Sequence, residues 1–437
     1  MKNFTKSASL FERAKKVLPG GVSRNTLLRG DNPLYASRGK GCMVLDVDGI
    51  ERIDFANNMA SHIHGHAFKP IVEAVSEQMS RGMAFTMATE AELKFAEHMC
   101  GRSPSIDKIR FVNSGTEAVM AGMKASRAYT GRSKIAKVEG SYHGAYDYAE
   151  VSQAPTPENW GDINRPKAVP LAHGTPGGVV NDMVIIPFND PEQAISILDE
   201  YKDQIACVLI DPIPHRIGMI PVKVEFVKAL RGWTQNNGAL LMFDEVITFR
   251  SEIGGMQARF DVKPDLTSMG KMIGGGFPVG ALAGSHEVME VFVNGSLPHS
   301  GTFSANPITM TAGRVAMELF DAQAVTRLNT LGNYARANIA EAIKLADVPA
   351  CVTGTGSLFR IHLKDKVPRN YRESHSSSTG KRALAAFVDA LYDDGIMMIH
   401  TAAAALSTPM GNGEIDRLSE AVLKSLSSIK GLVEEPK

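Results

Sequence analysis

Short, continuously apolar runs punctuate this chain. Ala239-Leu-Leu-Met-Phe243 is closed by two acids, Asp244 and Glu245, and Ile205-Ala-Cys-Val-Leu-Ile210 runs straight into Asp211-Pro212. Runs that are apolar at every position, rather than at alternate ones, predict strands buried on both faces of a parallel sheet. The C-terminal ends of such strands are where open α/β sheets take ligands. Asp244 therefore stands at the mouth of a site, unless it merely caps the next element or faces water, as most carboxylates do. Lys134 to Val138 reads as a further strand, ending at Glu139-Gly-Ser-Tyr142-His143-Gly144. Gly41 to Phe55 reads as a small hairpin turned at Asp48-Gly49. Helical patterns are predicted over residues 71–79, 119–129 and 307–322. Towards the end the pattern gives a strand over 356–362, a polar loop over 365–379, a helix over 383–393, a strand over 395–400 and a helix over 415–426. Residues 154–180, rich in Pro, Gly and Thr, predict a long loop over an entrance. No internal repeat is evident.

The length of 437 residues predicts two or three packing units and a large core. Charge is balanced, 47 Lys and Arg against 47 Asp and Glu, and no basic run stands out, which argues against nucleic acid and acidic membranes as partners. Residues 1–16 scatter charges through any apolar stretch, unlike a secretory signal, and no run has membrane-spanning length. The four cysteines, Cys42, Cys100, Cys207 and Cys351, are far apart and lack metal-ligand spacing, so reduced thiols in a cytoplasmic protein are expected.

Candidate chemistry centres on Ser268-Met-Gly-Lys271-Met-Ile-Gly-Gly-Gly276. A lysine between small residues, with apolar neighbours to exclude water, suits an amine of lowered pKa that forms a Schiff base. A phosphate loop needs a Gly where Asp265 stands and a Ser or Thr where Met272 stands, so that reading fails. A solvated loop lysine is the plain alternative. Upstream, Asn113-Ser114-Gly115-Thr116-Glu117-Ala118 opens a helical run. Hydroxyls and a glycine at a helix start make an anion site, although an ordinary N-cap with Glu117 in the first turn has the same look. Phosphate cradle, buried acid and activated lysine together meet the needs of one cofactor, pyridoxal phosphate. It requires an anion site, a carboxylate for its ring nitrogen and a lysine for its aldehyde.

From about Pro19 to near Leu423 the sequence resembles the class III aminotransferases of the fold-type I pyridoxal-phosphate enzymes. Within them it is most similar to the branch of glutamate-1-semialdehyde aminomutase and the β-amino-acid transaminases, including β-phenylalanine transaminases. The motifs Asn113–Ala118, Tyr142-His-Gly144, Asp244-Glu-Val246, Gly270-Lys271 and Gly301-Thr302 occur in that family's order. The resemblance implies an α/β fold: a large, mostly parallel seven-stranded sheet domain over 66–312, and a smaller α+β domain built from an N-terminal segment, 1–65, and a C-terminal one, 313–437. It implies phosphate contacts from Ser114, Gly115 and Thr116, Tyr142 and Val246 on the two ring faces, His143 in a positioning role, Asp244 at the ring nitrogen and Lys271 as nucleophile and base. It further implies that Thr302 reaches the cofactor phosphate of a neighbouring subunit, making the functional unit a homodimer. Arg24 lies where β-amino-acid transaminases place a substrate-carboxylate arginine. His62, His64 and His66 would share one face of a strand, the look of a metal site. The family instead has a Gly-His-x-x-Pro turn here, and no metal is expected. Asp211 stands where the family usually has Glu, and His215 and Arg216 where many relatives carry small or amide residues. Arg216 is either a second anion clamp or a partner for Asp211.

The expected activity is transfer of an amino group from an amino acid or amine, a β-amino acid being favoured, to a keto acid or other small carbonyl acceptor. The alternative is glutamate-1-semialdehyde 2,1-aminomutase, which the family associates with an acid in the loop after the final short strand. Here that loop, His400 to Ser407, has none. A non-enzymatic relative would have lost Lys271 or Asp244, and both are present.

Overall fold

Every residue of the strand Ile205–Ile210 is buried, as is every residue of Leu240–Asp244. Val208, Leu209 and Ile210 are each fully covered, worth roughly 2 kcal/mol apiece. The computed structural model describes residues 5–29 and 33–433, and in it these strands lie at the centre of one sheet. In chain order the strands are β1 Ala36–Lys40, β2 Met43–Asp46, β3 Glu51–Asp54, β4 Lys108–Val112, β5 Lys134–Val138, β6 Met183–Ile186, β7 Ile205–Ile210, β8 Leu240–Asp244, β9 Leu266–Gly270, β10 Gly280–Gly284, β11 Cys351–Thr353, β12 Leu358–His362, β13 Ile396–Met397 and β14 Ala403–Ala405.

The chain divides into two compact units, one of residues 1–69, 330–367 and 376–437, the other of residues 70–329 and 368–375. The larger holds a seven-stranded sheet ordered β4-β10-β9-β8-β7-β5-β6. Pairings from β6 through β9 are parallel, and β10 runs antiparallel to both β9 and β4. The register Ile210↔Phe243 sets the ends of β7 and β8 side by side, and Asp244↔Ser268 does the same for β8 and β9. Asp211, Asp244 and Lys271 thus leave the same edge. Against this sheet packs the helix Gly115–Thr130, capped by the Ser114 hydroxyl and closed by left-handed Gly131. Val119 and Met123 of its buried face join Met242 and Leu282 of the sheet in one core.

The smaller unit contains the sheet β1-β2-β3-β13 and the antiparallel sheet β11-β12-β14. The hairpin turned at Asp48-Gly49 is present as β2 and β3. Residues 57–60 form a left-handed turn, with φ of 45° at Asn57, 46° at Asn58, 58° at Met59 and 67° at Ala60. Such backbone costs roughly 1–2 kcal/mol per residue for L-amino acids. Asn57 anchors it, its N–H donating to Asp54 Oδ1 at 2.8 Å and its Nδ2 to Ala405 O at 2.6 Å.

Several sequence expectations change. The helix predicted to 322 stops at Leu319, and an unpredicted 25-residue helix, Ala322–Ala346, follows. The strand predicted over 395–400 shrinks to Ile396–Met397, because Ile399 and Ala402 close a tight turn with a left-handed Ala402. His62 to His66 form turns rather than a strand, and His66 Nε2 pairs with Asp54 Oδ2 at 2.8 Å. Among the described residues no cluster of His, Cys, Asp or Glu is arranged to hold a metal ion, and no helix is long and apolar enough to cross a membrane.

Candidate active site

Asp244 ends β8 as a buried carboxylate. One oxygen meets His143 Nδ1 at 2.8 Å and the other accepts from Val246 N at 3.1 Å. Burial outweighs the attraction of Asp244 and pulls the His143 imidazolium down in pKa. The ring is therefore neutral near pH 7, with Nδ1 donating to the carboxylate. Its Nε2 is buried without a partner.

Lys271 follows β9 directly, with a strained φ of 49°. Burial pushes its ammonium below the ordinary lysine value, against the opposing charges of Asp244 and Asp211. A lysine that feels both carboxylates while losing water is primed as a nucleophile. Asp211 is driven the other way: burial, then the charge of Asp244, raise its carboxyl well above the usual range. Asp211 therefore holds its proton more readily than a free carboxyl does. Glu245 is a structural acid. Burial raises it to about 7, while the N–H groups of Met256 and Gln257 and the Thr248 hydroxyl satisfy its carboxyl.

The predicted anion site is built around Gly115. A Cβ there would lie 2.9 Å from both methyls of Val246, so only glycine lets the helix start approach that side chain. The N–H groups of Gly115 and Thr116 come before any intrahelical partner. Ser114 Oγ accepts from Glu117 N at 3.1 Å, which leaves its proton free to donate. Thr116 Oγ1 receives Ala145 N at 3.2 Å, tying the helix start to the turn that carries Tyr142 and His143. Left-handed Gly144 permits that approach, since a Cβ would come 2.5 Å from Thr116 Oγ1.

Ser114, Gly115, Thr116, His143, Asp244, Val246 and Lys271 thus converge in the larger unit. Tyr142 joins them through its turn, its ring meeting His215 edge-on at 5.5 Å between centroids. Thr302 is exposed on a neighbouring loop of the same unit, and Arg24 belongs to the smaller unit, where Nη1 donates to Asn58 Oδ1 at 2.8 Å.

The family profile described as "Aminotransferase class-III" matches residues 28–410. The chain belongs to the class-III aminotransferases. A glutamate-1-semialdehyde 2,1-aminomutase from Methanothermobacter thermautotrophicus is 39% identical over 376 residues, 86% of this chain and 87% of that protein. Among solved structures, an omega-transaminase from Sphaerobacter thermophilus superposes with a TM-score of 0.95 at 46% identity, covering 97% of this chain and 98% of the other. A β-phenylalanine aminotransferase from Variovorax paradoxus gives 0.88 at 31%, covering 99% and 96%. The class-III aminotransferases are pyridoxal-phosphate enzymes, and the residues here fit that cofactor. Free N–H donors at a helix start suit a phosphate, and a buried carboxylate suits a protonated ring nitrogen.

Sequence reasoning missed Lys137. It is fully buried in β5, and Nζ donates to the carbonyls of Ser141 at 3.0 Å, Ala149 at 2.6 Å and Val151 at 2.8 Å, cinching the turn that holds Tyr142 and His143. A charge inside an otherwise apolar strand was the available signal. Residues 368–375 were also missed. Arg372 pairs with Glu139 and donates to the carbonyls of Trp160, Gly161 and Asp162, and Tyr371 OH reaches Pro155 O at 3.0 Å. They read as plain polar loop because their partners lie more than 200 positions earlier.

Proposed function

We propose that this enzyme moves an amino group from an amino acid or amine, with β-amino acids favoured, to a keto acid or other carbonyl acceptor. The observation that carries the reading is the placing of a fixed, buried Asp244 carboxyl and a desolvated Lys271 at adjoining strand ends. Bound pyridoxal phosphate supplies an aldehyde that condenses with amines and a protonated ring that accepts the electron pair of a deprotonated carbon. Ser114, Gly115 and Thr116 hold its phosphate. Asp244 keeps the proton on the ring nitrogen, and His143, bonded at 2.8 Å, keeps Asp244 aimed. Tyr142 and Val246 flank the ring. The Lys271 amine would hold the cofactor's aldehyde and, once free, would serve as the base that takes a proton from the substrate carbon.

The 46% identity to an omega-transaminase over nearly the whole chain favours amino transfer between two substrates. The aminomutase reading rests on relatives at 39% identity. The loop from His400 to Ser407, which lacks an acid, weighs against it. The two separate in one experiment. An aminotransferase's visible absorbance fades with an amino donor alone and returns with a keto acid, whereas a mutase turns over a single semialdehyde without either. Lys271→Ala should bind the cofactor without covalent attachment and lose turnover by about a thousand-fold or more. Borohydride label on another side chain of the wild type would overturn the assignment.

A further inference from the structure

Arg216 sits on the single turn His215–Ile217 that follows β7. Among the described residues its guanidinium has neither a hydrogen-bond nor an ion-pair partner. The partner suggested by sequence, Asp211, instead accepts from Ile213 N at 2.9 Å. Nor is the turn loose. Ile217 N and Met219 N both donate to Pro214 O at 3.1 Å, left-handed Gly218 closes it, and the Ser374 hydroxyl donates to Ile217 O.

The surroundings of this cation are rich in donors. Its neighbour His215 touches the Tyr142 ring, whose hydroxyl has no hydrogen-bond partner among the described residues. Burial raises the Tyr142 and Tyr371 hydroxyls, and the charge of Arg216 opposes that in both. Lys137, pushed down to about 7 by burial and then by Arg216, has spent its N–H groups on three carbonyls. Glu139 is taken by both nitrogens of Arg372. The charge of Glu150 also reaches Lys137 and Tyr142, yet among the described residues no carboxylate is bonded to the half-buried Arg216 guanidinium, whose N–H groups are open to an incoming anion.

We infer that Arg216, with the Tyr142 hydroxyl beside it, is the receptor for a substrate carboxylate. The inference rests on the aminotransferase reading and narrows it: the substrates are carboxylic acids, amino acids as donors and 2-oxo acids as acceptors, rather than simple amines and ketones. A fixed fork of N–H donors beside a phenol matches the two oxygens of one carboxylate.

The test uses cofactor-loaded wild type, Arg216→Gln and Arg216→Lys, with succinate as an unreactive probe followed by calorimetry. Succinate should bind about ten-fold or more weakly to Arg216→Gln and recover in part in Arg216→Lys. KM for a 2-oxo acid should rise by a similar factor while that for a carboxylate-free amine stays put. Melting temperature and cofactor affinity should match the wild type in both variants. Unchanged succinate binding overturns the inference. So does a fall in cofactor affinity with Arg216→Gln, which would assign the guanidinium to the cofactor's own phosphate. Failure of wild type to bind pyridoxal phosphate through Lys271 would sink the aminotransferase reading instead, so the two failures are distinct.

Discussion

At Lys271 two influences compete: loss of water favours the free amine, and the charges of Asp244 and Asp211 favour the ammonium. The first prevails, so the amine is available at lower pH than an ordinary lysine. Covalent labelling of the apoprotein by pyridoxal phosphate, trapped with borohydride, should rise with pH and level off below the ordinary lysine range near ~10.4. A midpoint at or above that range would show that desolvation does not set the reactivity. Asp244 was legible because it closes an apolar run, whose last residue points at the sheet edge, and Lys271 because it stands between small residues ahead of a run of glycines. The raised pKa of Asp211 was not legible. It depends on a second carboxylate 33 positions later, placed alongside by the pairing of β7 with β8.

Among elements, the turn from Glu139 to Val151 depends most on one buried side chain. Three carbonyls accept from the Lys137 amine. Lys137→Met should therefore destabilise the enzyme by roughly 3 kcal/mol, read from the urea midpoint, since three buried acceptors lose their donor. A shift under roughly 1 kcal/mol would mean that the carbonyls find other partners. The pH dependence has a definite sign. A lysine whose folded pKa, about 7, lies below its unfolded value burdens the folded state while charged, so wild type should gain stability relative to Lys137→Met as pH rises from about 7. The strands of the larger sheet were readable from continuous apolar runs and the hairpin from Asp48-Gly49. The helix Ala322–Ala346 and the left-handed turn at residues 57–60 escaped. The helix repeats apolar residues at helical spacing, Val325, Leu328, Leu331, Ala335, Ile339 and Ala342, and ends with Lys344 ahead of Pro349, so its signal was present and went unread, whereas the turn uses no glycine to mark it.

For the molecule as a whole, Met83, Phe85 and Met87 are more than half exposed, as is Phe303 beside Thr302. Apolar groups of this size in one stretch suit a protein partner, and a second copy of this chain fits the role proposed for Thr302. Light scattering should give twice the chain mass of 47.1 kDa, and Met87→Asp, at a residue 82% exposed, should shift the population towards single chains. A wild type that runs as a single chain at micromolar concentration would remove the need for Thr302 in another subunit's site. Division into units was the feature least open to sequence reading, because the larger one takes residues 368–375 from far along the chain. That late contribution has a consequence for biogenesis. The emerging polypeptide can lay down its seven strands early, but Glu139 waits for Arg372 until the ribosome has passed most of the C-terminal half. A nascent chain arrested before that point has every strand of the larger sheet but leaves Glu139, and the carbonyls of Trp160, Gly161 and Asp162, without the guanidinium that joins them.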